Sequence, residues 1–438
     1  MTTIPALAQM LQQVFCVFPP TVADSSGFTR RQSKLTATAF VQTCVFGWLS
    51  NPTASLAALA QTASALGVAI TPQGLDARFT EAAARLLEHV LSAVVRQVVS
   101  AEPVVIPLLQ RFTAVYVLDS TTIALPDALA ERWAGCGGAG SSAAVKLQVR
   151  LDLCQGTLAG PHLQTGRSHD ATAELATALL PAGALRITDL GYFAVPVLAA
   201  IAAAEGYWLS RLHASPTVYR ADGQRLEVGA WLAAQTADHV ELAVCLGTTL
   251  RLPARLLAAR VPLGVAEQRR RRLRTEAQKR GQTPSVKQLA WADWTLYVTN
   301  VPAERLSLPE GIVLGYARWQ IELLFKQGKS DQCVDEWRSG NCWRILCEVY
   351  AKLIGSVLTH WLTVVSCWRF ANRSLRKAGQ TIQRHALRLG ISVQQGVGMS
   401  EAMGAIQGCL GTGCRLNTRK QVPNTYQFLL DPSLLALG

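Results

Sequence analysis

The stretch Tyr116-Val117-Leu118-Asp119-Ser120-Thr121-Thr122 decides the fold class. Residues 114–118 form a short apolar run rich in Val and Tyr, ending on a carboxylate beside hydroxyl side chains. Such a run reads as a buried strand whose end brings the charge out at a sheet edge. Ile187-Thr188-Asp189-Leu190-Gly191-Tyr192-Phe193 has the same grammar, so 185–188 predicts a second short strand ending in Asp189. Taken singly, either aspartate also reads as a strand-end turn former.

Further strands and helices follow on both sides. The segment 146–153 alternates polar and apolar residues (Leu147, Val149, Leu151, Leu153), as a half-exposed strand does, and a third strand falls around 158–163. Residues 135–142 are Gly-rich and read as a loop. The segment 171–180 predicts a helix with Asp170 at its N-cap, 195–204 a second helix and 207–211 a further strand. Three strands, a helix, a strand, a helix and a strand make a mixed α/β sheet with helices on its faces. In open sheets of this class, sites are built at the strand ends.

The chain before Pro107 reads as helical. Leu56, Leu59, Ala63 and Leu66 recur at helical spacing before Gly67, and a second helix runs from near Gly74 through Phe79, Leu86, Leu87, Val90 and Val94. Two short helices around a Gly-containing turn suit a DNA-binding helix-turn-helix, and equally a plain helical subdomain. The cluster Arg30, Arg31 and Lys34 favours DNA contact. Between 212 and 290, short Val- and Leu-rich pieces (240–246, 250–256) precede an arginine run. Trp294 to Asn300 is again strand-like, 311–329 reads as one strong helix, and the remainder is helical and then basic.

Lys and Arg number 42 against 29 Asp and Glu, a formal charge of +13 over 438 residues. That balance calls for an anionic partner, nucleic acid first and an anionic membrane surface second. The longest nearly unbroken apolar run, 191–204, contains Pro196 and falls short of the roughly 20 residues a spanning helix needs. The N-terminus lacks the basic start and apolar core of a signal peptide. A soluble, unexported, cytoplasmic protein is expected. The 11 cysteines include no Cys-x-x-Cys pair and have no histidine at zinc spacing, so they read as reduced, mostly buried thiols.

A third carboxylate stands in Tyr316-Ala317-Arg318-Trp319-Gln320-Ile321-Glu322-Leu323-Leu324-Phe325-Lys326-Gln327-Gly328-Lys329. On a helix, Arg318, Glu322, Lys326 and Lys329 share one face, beside an apolar stripe of Ile321, Leu324 and Phe325. A surface helix laced with ion pairs fits this pattern, and so does a metal carboxylate flanked by phosphate-binding cations. Phosphodiester cleavage builds negative charge at phosphorus, which two magnesium ions roughly 3.5–4 Å apart can stabilise. Asp and Glu oxygens suit that hard cation.

Here the sequence resembles the DDE transposases of bacterial insertion sequences, the cut-and-paste subgroup with a Tyr-Arg-Glu-Lys signature. The matching blocks are Val117-Leu118-Asp119-Ser120-Thr121-Thr122-Ile123-Ala124-Leu125-Pro126, then Lys146-Leu147-Gln148 and Gly166-Arg167-Ser168-His169-Asp170, then Asp189-Leu190-Gly191-Tyr192-Phe193. Arg318-Trp319-Gln320-Ile321-Glu322 with Phe325-Lys326 and Lys329 follows, then Trp337-Arg338-Ser339-Gly340-Asn341, and Cys347-Glu348 with Ala351-Lys352-Leu353. The resemblance runs from about residue 40 to about 370. It implies an RNase H-like mixed-sheet catalytic core holding two Mg²⁺ (Mn²⁺ able to substitute) on Asp119, Asp189 and Glu322. Asp189 and Glu322 lie 322 − 189 = 133 positions apart, and the family places a β-rich insertion there. The resemblance also implies that Arg318 and Lys329 grip phosphates near the cleaved end, with Lys326 beside them. It implies a reaction in which water frees a 3′-hydroxyl, that hydroxyl forms a hairpin end, and the opened end attacks target DNA.

The signature expects Tyr three residues before its Arg. Here Gly315 holds that position, and Tyr316, two before Arg318, is the candidate phosphate contact. Trp294 stands near where relatives stack a flipped base, and a core tryptophan is the alternative. Arg269, Arg270, Arg271, Arg272, Arg274, Lys279 and Arg280 crowd the end of the insertion against Glu276 alone, and Arg270 and Arg271 are taken as DNA contacts. Residues 366–400 contain no acid but include Arg369, Arg373, Arg376, Lys377, Arg384 and Arg388. His169 reads as a turn residue and His213 as structural.

The expected organisation is a helical N-terminal DNA-binding region (1–105), a catalytic core in two parts (106–212 and 294–370) around the β-rich insertion (213–293), and a basic, partly helical C-terminal region (371–438). The expected partners are double-stranded DNA, as transposon terminal inverted repeats and as target, and a second copy in a homodimer on paired ends. The protein would lie with the nucleoid in the cytoplasm. An RNase H-like nuclease and a non-catalytic DNA-binding descendant are the alternatives.

Overall fold

A computed structural model of the chain describes residues 1–29, 34–137, 140–279, 281–419 and 421–437. Arg30, Arg31 and Arg280 lie outside the described residues. Two compact units alternate along the sequence. The first comprises Met1–Val105, Ser120–Ser168 and Gln320–Asn417, and the second Ile106–Asp119, His169–Trp319 and Thr418–Gly438.

Among the described residues, nine strands form the sheet: β1 (Val115–Leu125), β2 (Ala143–Asp152), β3 (Leu158–Thr165), β4 (Leu185–Thr188), β5 (Tyr207–Arg211), β6 (Val218–Arg220), β7 (His239–Leu246), β8 (Leu252–Arg260) and β9 (Trp294–Thr299). In the second unit the order runs β1-β4-β5-β9-β8-β7-β6. There β1, β4 and β5 are parallel, and from β5 through β9 to β6 the pairs are antiparallel. The first unit carries the far half of β1, with β2 and β3 antiparallel beside it. The apolar pieces of the insertion therefore extend one sheet, and its arginine run is a helix, Leu263–Lys279.

Strand β1 runs six residues past Asp119, where the sequence predicts it to end. The continuation is rich in β-branched residues, and Ile123 and Leu125 are buried two apart, which suits a pleated strand. The helix predicted over 171–180 shrinks to a turn at Asp170–Thr172 and a helix Glu174–Thr177. Buried Arg186 of β4 donates to the Ala176 carbonyl at 2.5 Å, taking an acceptor that the next helical turn would need. Trp208, Leu246, Leu256 and Val298 lie at the centre of this unit's core.

The first unit is built round a 26-residue helix, Cys342–Cys367, against which Ala37–Ser50, Glu81–Val95 and Leu375–Gln395 pack. Asn341 caps it, accepting from the amides of Trp343 and Arg344. This helix has the length and apolar character of a membrane span, but 94 % of its most apolar window is buried inside the protein. Arg344, Glu348 and Lys352 interrupt the apolar run, so the sequence shows a helix there without showing a core. The helix predicted from Gly74 onward is two, Pro72–Asp76 and Glu81–Val95, because Thr80 caps the second by accepting from the Ala83 amide. Among the described residues no disulfide joins the 11 cysteines, and five of them are buried, fewer than the mostly buried set the sequence predicts.

His360 is buried on the long helix, its Nε2 donating to the Gly156 carbonyl at 2.7 Å, and Trp368 packs edge-on at 5.6 Å. Gly156 has φ +75°, and a Cβ there would lie 2.6 Å from the Trp368 ring. Burial lowers the His360 pKa from 6.5 to about 4. An unfolded histidine takes a proton below about pH 6.5 while the folded one stays neutral down to about 4, so stability falls with acid across that window. Between pH 7.5 and pH 5 the wild type should lose about 2 kcal/mol more than His360→Gln. Parallel urea titrations check this, and equal losses in the two proteins would contradict it.

Candidate active site

Two of the three candidate carboxylates follow the paired part of β1 and β4. Val115 pairs with Leu185, Tyr116 with Arg186 and Val117 with Ile187. Continued by two residues, this register sets Asp119 opposite Asp189. Neighbouring strands lie about 4.8 Å apart, and residues two apart share a face, so the two carboxylates emerge together. The four residues of β4 are all buried, which anchors Asp189 at the point where the chain leaves the sheet. Asp189 Oδ1 accepts from the Gly191 amide at 2.9 Å, closing the turn 190–192. Both aspartates are partly exposed.

Arg318 donates from Nη1 to Asp119 Oδ2 at 2.7 Å, with both side chains largely shielded. It sits between two helices, Leu308–Ala317 and Trp319–Ser330, where the sequence predicts one. Its backbone stays helical (φ −53°, ψ −29°). Within Trp319–Ser330, Glu322 lies in the first turn and is partly exposed, and Lys326 is exposed. Lys329 donates from Nζ to the Thr122 carbonyl at 3.0 Å, on the far half of β1, and lies 3.9 Å from Asp335. Among the described residues, no group of three or more His, Cys, Asp or Glu side chains is closed into a ready metal cage.

The remaining candidates divide. Tyr316 is 43 % exposed, whereas Trp294 is 3 % exposed, in the core of the second unit, with the Arg260 guanidinium 4.4 Å from its ring centroid. One edge of Trp294 lines a pocket with Leu190, Arg211, His213, Arg269 and Trp291. Arg270 is paired with Asp293, and Arg271 is exposed. His213 bonds Ser215 and stacks on Phe193. Sequence reasoning passed over Tyr297 and Arg211, which stand opposite each other on β9 and β5, and read Arg269 only as part of a charge run, whereas it bonds Trp294 and Thr295 of β9. The one available signal was a tyrosine in a strand buried on both faces.

A family model, the transposase DDE domain, matches residues 110–358, more than half of the chain and a span that holds Asp119, Asp189 and Glu322. The chain belongs to the DDE transposases. It is 26 % identical over 378 residues to the transposase for insertion sequence element IS231F of Bacillus thuringiensis subsp. israelensis, covering 81 % of this chain and 79 % of that one. The transposase for IS231E of Bacillus thuringiensis subsp. finitimus is 28 % identical over 367 residues, covering 78 % and 76 %. The transposase for IS1151 of Clostridium perfringens is 22 % identical over 369 residues, covering 79 % and 77 %. Membership makes the transposase an enzyme of insertion-sequence transposition that acts on DNA with a divalent metal. The aspartates fit such a cation: both are hard oxygen donors, Asp119 on β1 and Asp189 directly after the parallel neighbour β4, and Asp119 already binds a cationic group.

Proposed function

We propose that the transposase cuts DNA at the ends of its element and joins the freed ends to target DNA, with Asp119, Asp189 and Glu322 as its metal-binding carboxylates. The observation that supports this reading is the parallel register of β1 and β4, whose last pair, Val117 with Ile187, lies two residues before each aspartate. Glu322 joins them on the resemblance of its block. The metal would be two Mg²⁺, with Mn²⁺ able to substitute. When bound, such ions activate an attacking oxygen and stabilise a leaving one. In the first step a water oxygen bonds to phosphorus as the 3′ oxygen leaves with the pair of the broken bond. The new 3′-hydroxyl would attack the opposite strand to give a hairpin end, a second water would open the hairpin and release that 3′-hydroxyl again, and it would then attack target DNA.

The chain's own residues bind and orient. Arg318, which pairs with Asp119, and Lys329 would bind phosphate oxygens, and so would the exposed Lys326 and Tyr316. The mixed sheet supports an RNase H-like catalytic core over 106–212 and 294–370, interrupted by 213–293. The subgroup is the one with the Tyr-Arg-Glu-Lys signature. Residues 1–105 would contact the terminal inverted repeat, and 371–438 would mediate pairing of two ends in a homodimer or contact with target DNA.

The helix Leu263–Lys279 offers Arg271 and Arg274 to phosphate, both exposed. Removing both as Arg271→Ala/Arg274→Ala should flatten the slope of log affinity against log salt by about 2, near 0.9 for each phosphate contact. Fluorescence anisotropy across a salt series checks this, and an unchanged slope would remove the helix from the DNA interface.

Joining tests the function itself. A duplex that carries the element's terminal repeat with a free 3′-hydroxyl should become covalently linked to a plasmid in the presence of Mg²⁺. Hydrolysis with no joined product would make the protein a nuclease. Binding with neither reaction would make it a non-catalytic DNA-binding protein.

A further inference from the structure

Gly315 lies on the helix Leu308–Ala317, three residues before Arg318. A Cβ at 315 would fall 2.2 Å from Cζ and 2.4 Å from the hydroxyl oxygen of Tyr297, far inside contact distance. Tyr297 comes from β9 and is 6 % exposed, so its phenol fills the space that a side chain at 315 would need. Burial raises the phenol's pKa, while the charges of Arg211, Arg318 and Arg269 act on it in the opposite sense. Arg211 stands opposite Tyr297 across β5 and β9, and Arg318 follows Gly315, against which the phenol packs, by one helical turn. Arg269 is pinned, donating to the Trp294 carbonyl at 3.0 Å and to Thr295 Oγ1 at 3.1 Å. Arg318 is the member that reaches Asp119. Guanidinium groups are donors only and repel one another, whereas a phenol oxygen offers lone pairs.

We infer that Tyr297 is a positioning residue: its hydroxyl, delivered from strand β9, orients Arg318 at Asp119 and stands where the family signature would set a tyrosine from residue 315. A tyrosine at 315 and a tyrosine at 297 exclude each other, which accounts for the glycine. The inference rests on the reading of Asp119 as part of the reaction centre.

The test uses the full-length transposase and a duplex carrying its element's terminal repeat. Single-turnover cleavage and binding affinity are measured separately for the wild type, Asp119→Asn, Tyr297→Phe, Tyr297→Ala and Tyr297→Ala/Gly315→Tyr. Tyr297→Phe keeps the ring that fills the space and removes only the hydroxyl. It should bind DNA within about twofold of wild type and cleave about tenfold more slowly, the loss of one hydrogen bond to a charged group. Tyr297→Ala should cleave on the order of 10²-fold more slowly through misplacement of Arg318, and the double variant should recover at least about tenfold of that. Cleavage by Tyr297→Phe at the wild-type rate would overturn the inference, leaving Tyr297 as a core ring. A double variant no faster than Tyr297→Ala would also overturn it. If Asp119→Asn is inactive in either case, the reading of the centre stands and only the role of Tyr297 falls. Wild-type cleavage by Asp119→Asn would remove both.

Discussion

Asp119→Asn should bind end DNA as the wild type does and cleave it on the order of 10³-fold or more slowly, because metal-assisted charge stabilisation is worth several kcal/mol. The substitution keeps the side chain's shape and removes its charge. An amide is a poor partner for a hard divalent cation, and it also gives up the ion pair with Arg318. Asp189→Asn should behave alike. Its amide oxygen can still accept from the Gly191 amide, so the turn 190–192 keeps its closing bond while the site loses a charge. Cleavage is read on a sequencing gel and binding by anisotropy in EDTA. Either variant cleaving within about tenfold of wild type would remove that aspartate from the metal site.

The largest effect on stability is expected at Lys352. Its side chain and that of Glu348 are almost wholly buried, 2.7 Å apart on the long helix of the first unit. Lys352 Nζ also donates to the carbonyls of Cys333 and Glu336, each at 2.8 Å, tying down the segment that follows the Glu322 helix. Burial pushes the Glu348 carboxyl above its ordinary range, and Lys352 pulls it back. Lys352→Met leaves an uncompensated buried carboxylate and should cost about 3–5 kcal/mol. Glu348→Gln in the same protein should return a large part of that. The sign with pH follows from the raised pKa. A carboxyl whose folded pKa lies above its unfolded value loses stability as pH rises, so the defect of Lys352→Met should be smaller at pH 5 than at pH 8. Thermal unfolding at the two pH values checks both statements, and a pH-independent defect would point to packing alone.

The parts of this site that are legible in the sequence are local. An apolar run that stops on a carboxylate is visible in one stretch of sequence, and it marks Asp119 and Asp189 as candidates although β1 continues past the first of them. The pairing itself is long-range. Nothing in residues 115–117 states that their neighbour is 185–187, and that register exists only once β1 and β4 lie parallel. Charge runs proved less readable than carboxylates. Arg373 belongs to a basic segment, yet its guanidinium lies 3.6 Å from the Trp368 ring centroid and donates to the carbonyls of Trp368 and Phe370, with its pKa lowered by burial to about 10. Arg270 likewise belongs to the arginine run but is paired with Asp293. A lone sequence shows that cations are numerous and leaves open which of them the core consumes. Gly315 illustrates the same limit, since its meaning lies in a tyrosine 18 positions earlier.

The most direct test of the three-carboxylate centre replaces the native metal with Fe²⁺ and adds ascorbate and peroxide, so that radicals generated at the bound ion cut the nearby backbone. The account predicts scission close to residues 119, 189 and 322 in the same protein, suppressed by excess Mg²⁺ and lost in Asp119→Asn. Scission near 119 and 189 with none near 322 would contradict Glu322's membership, and scission elsewhere would contradict the centre as a whole.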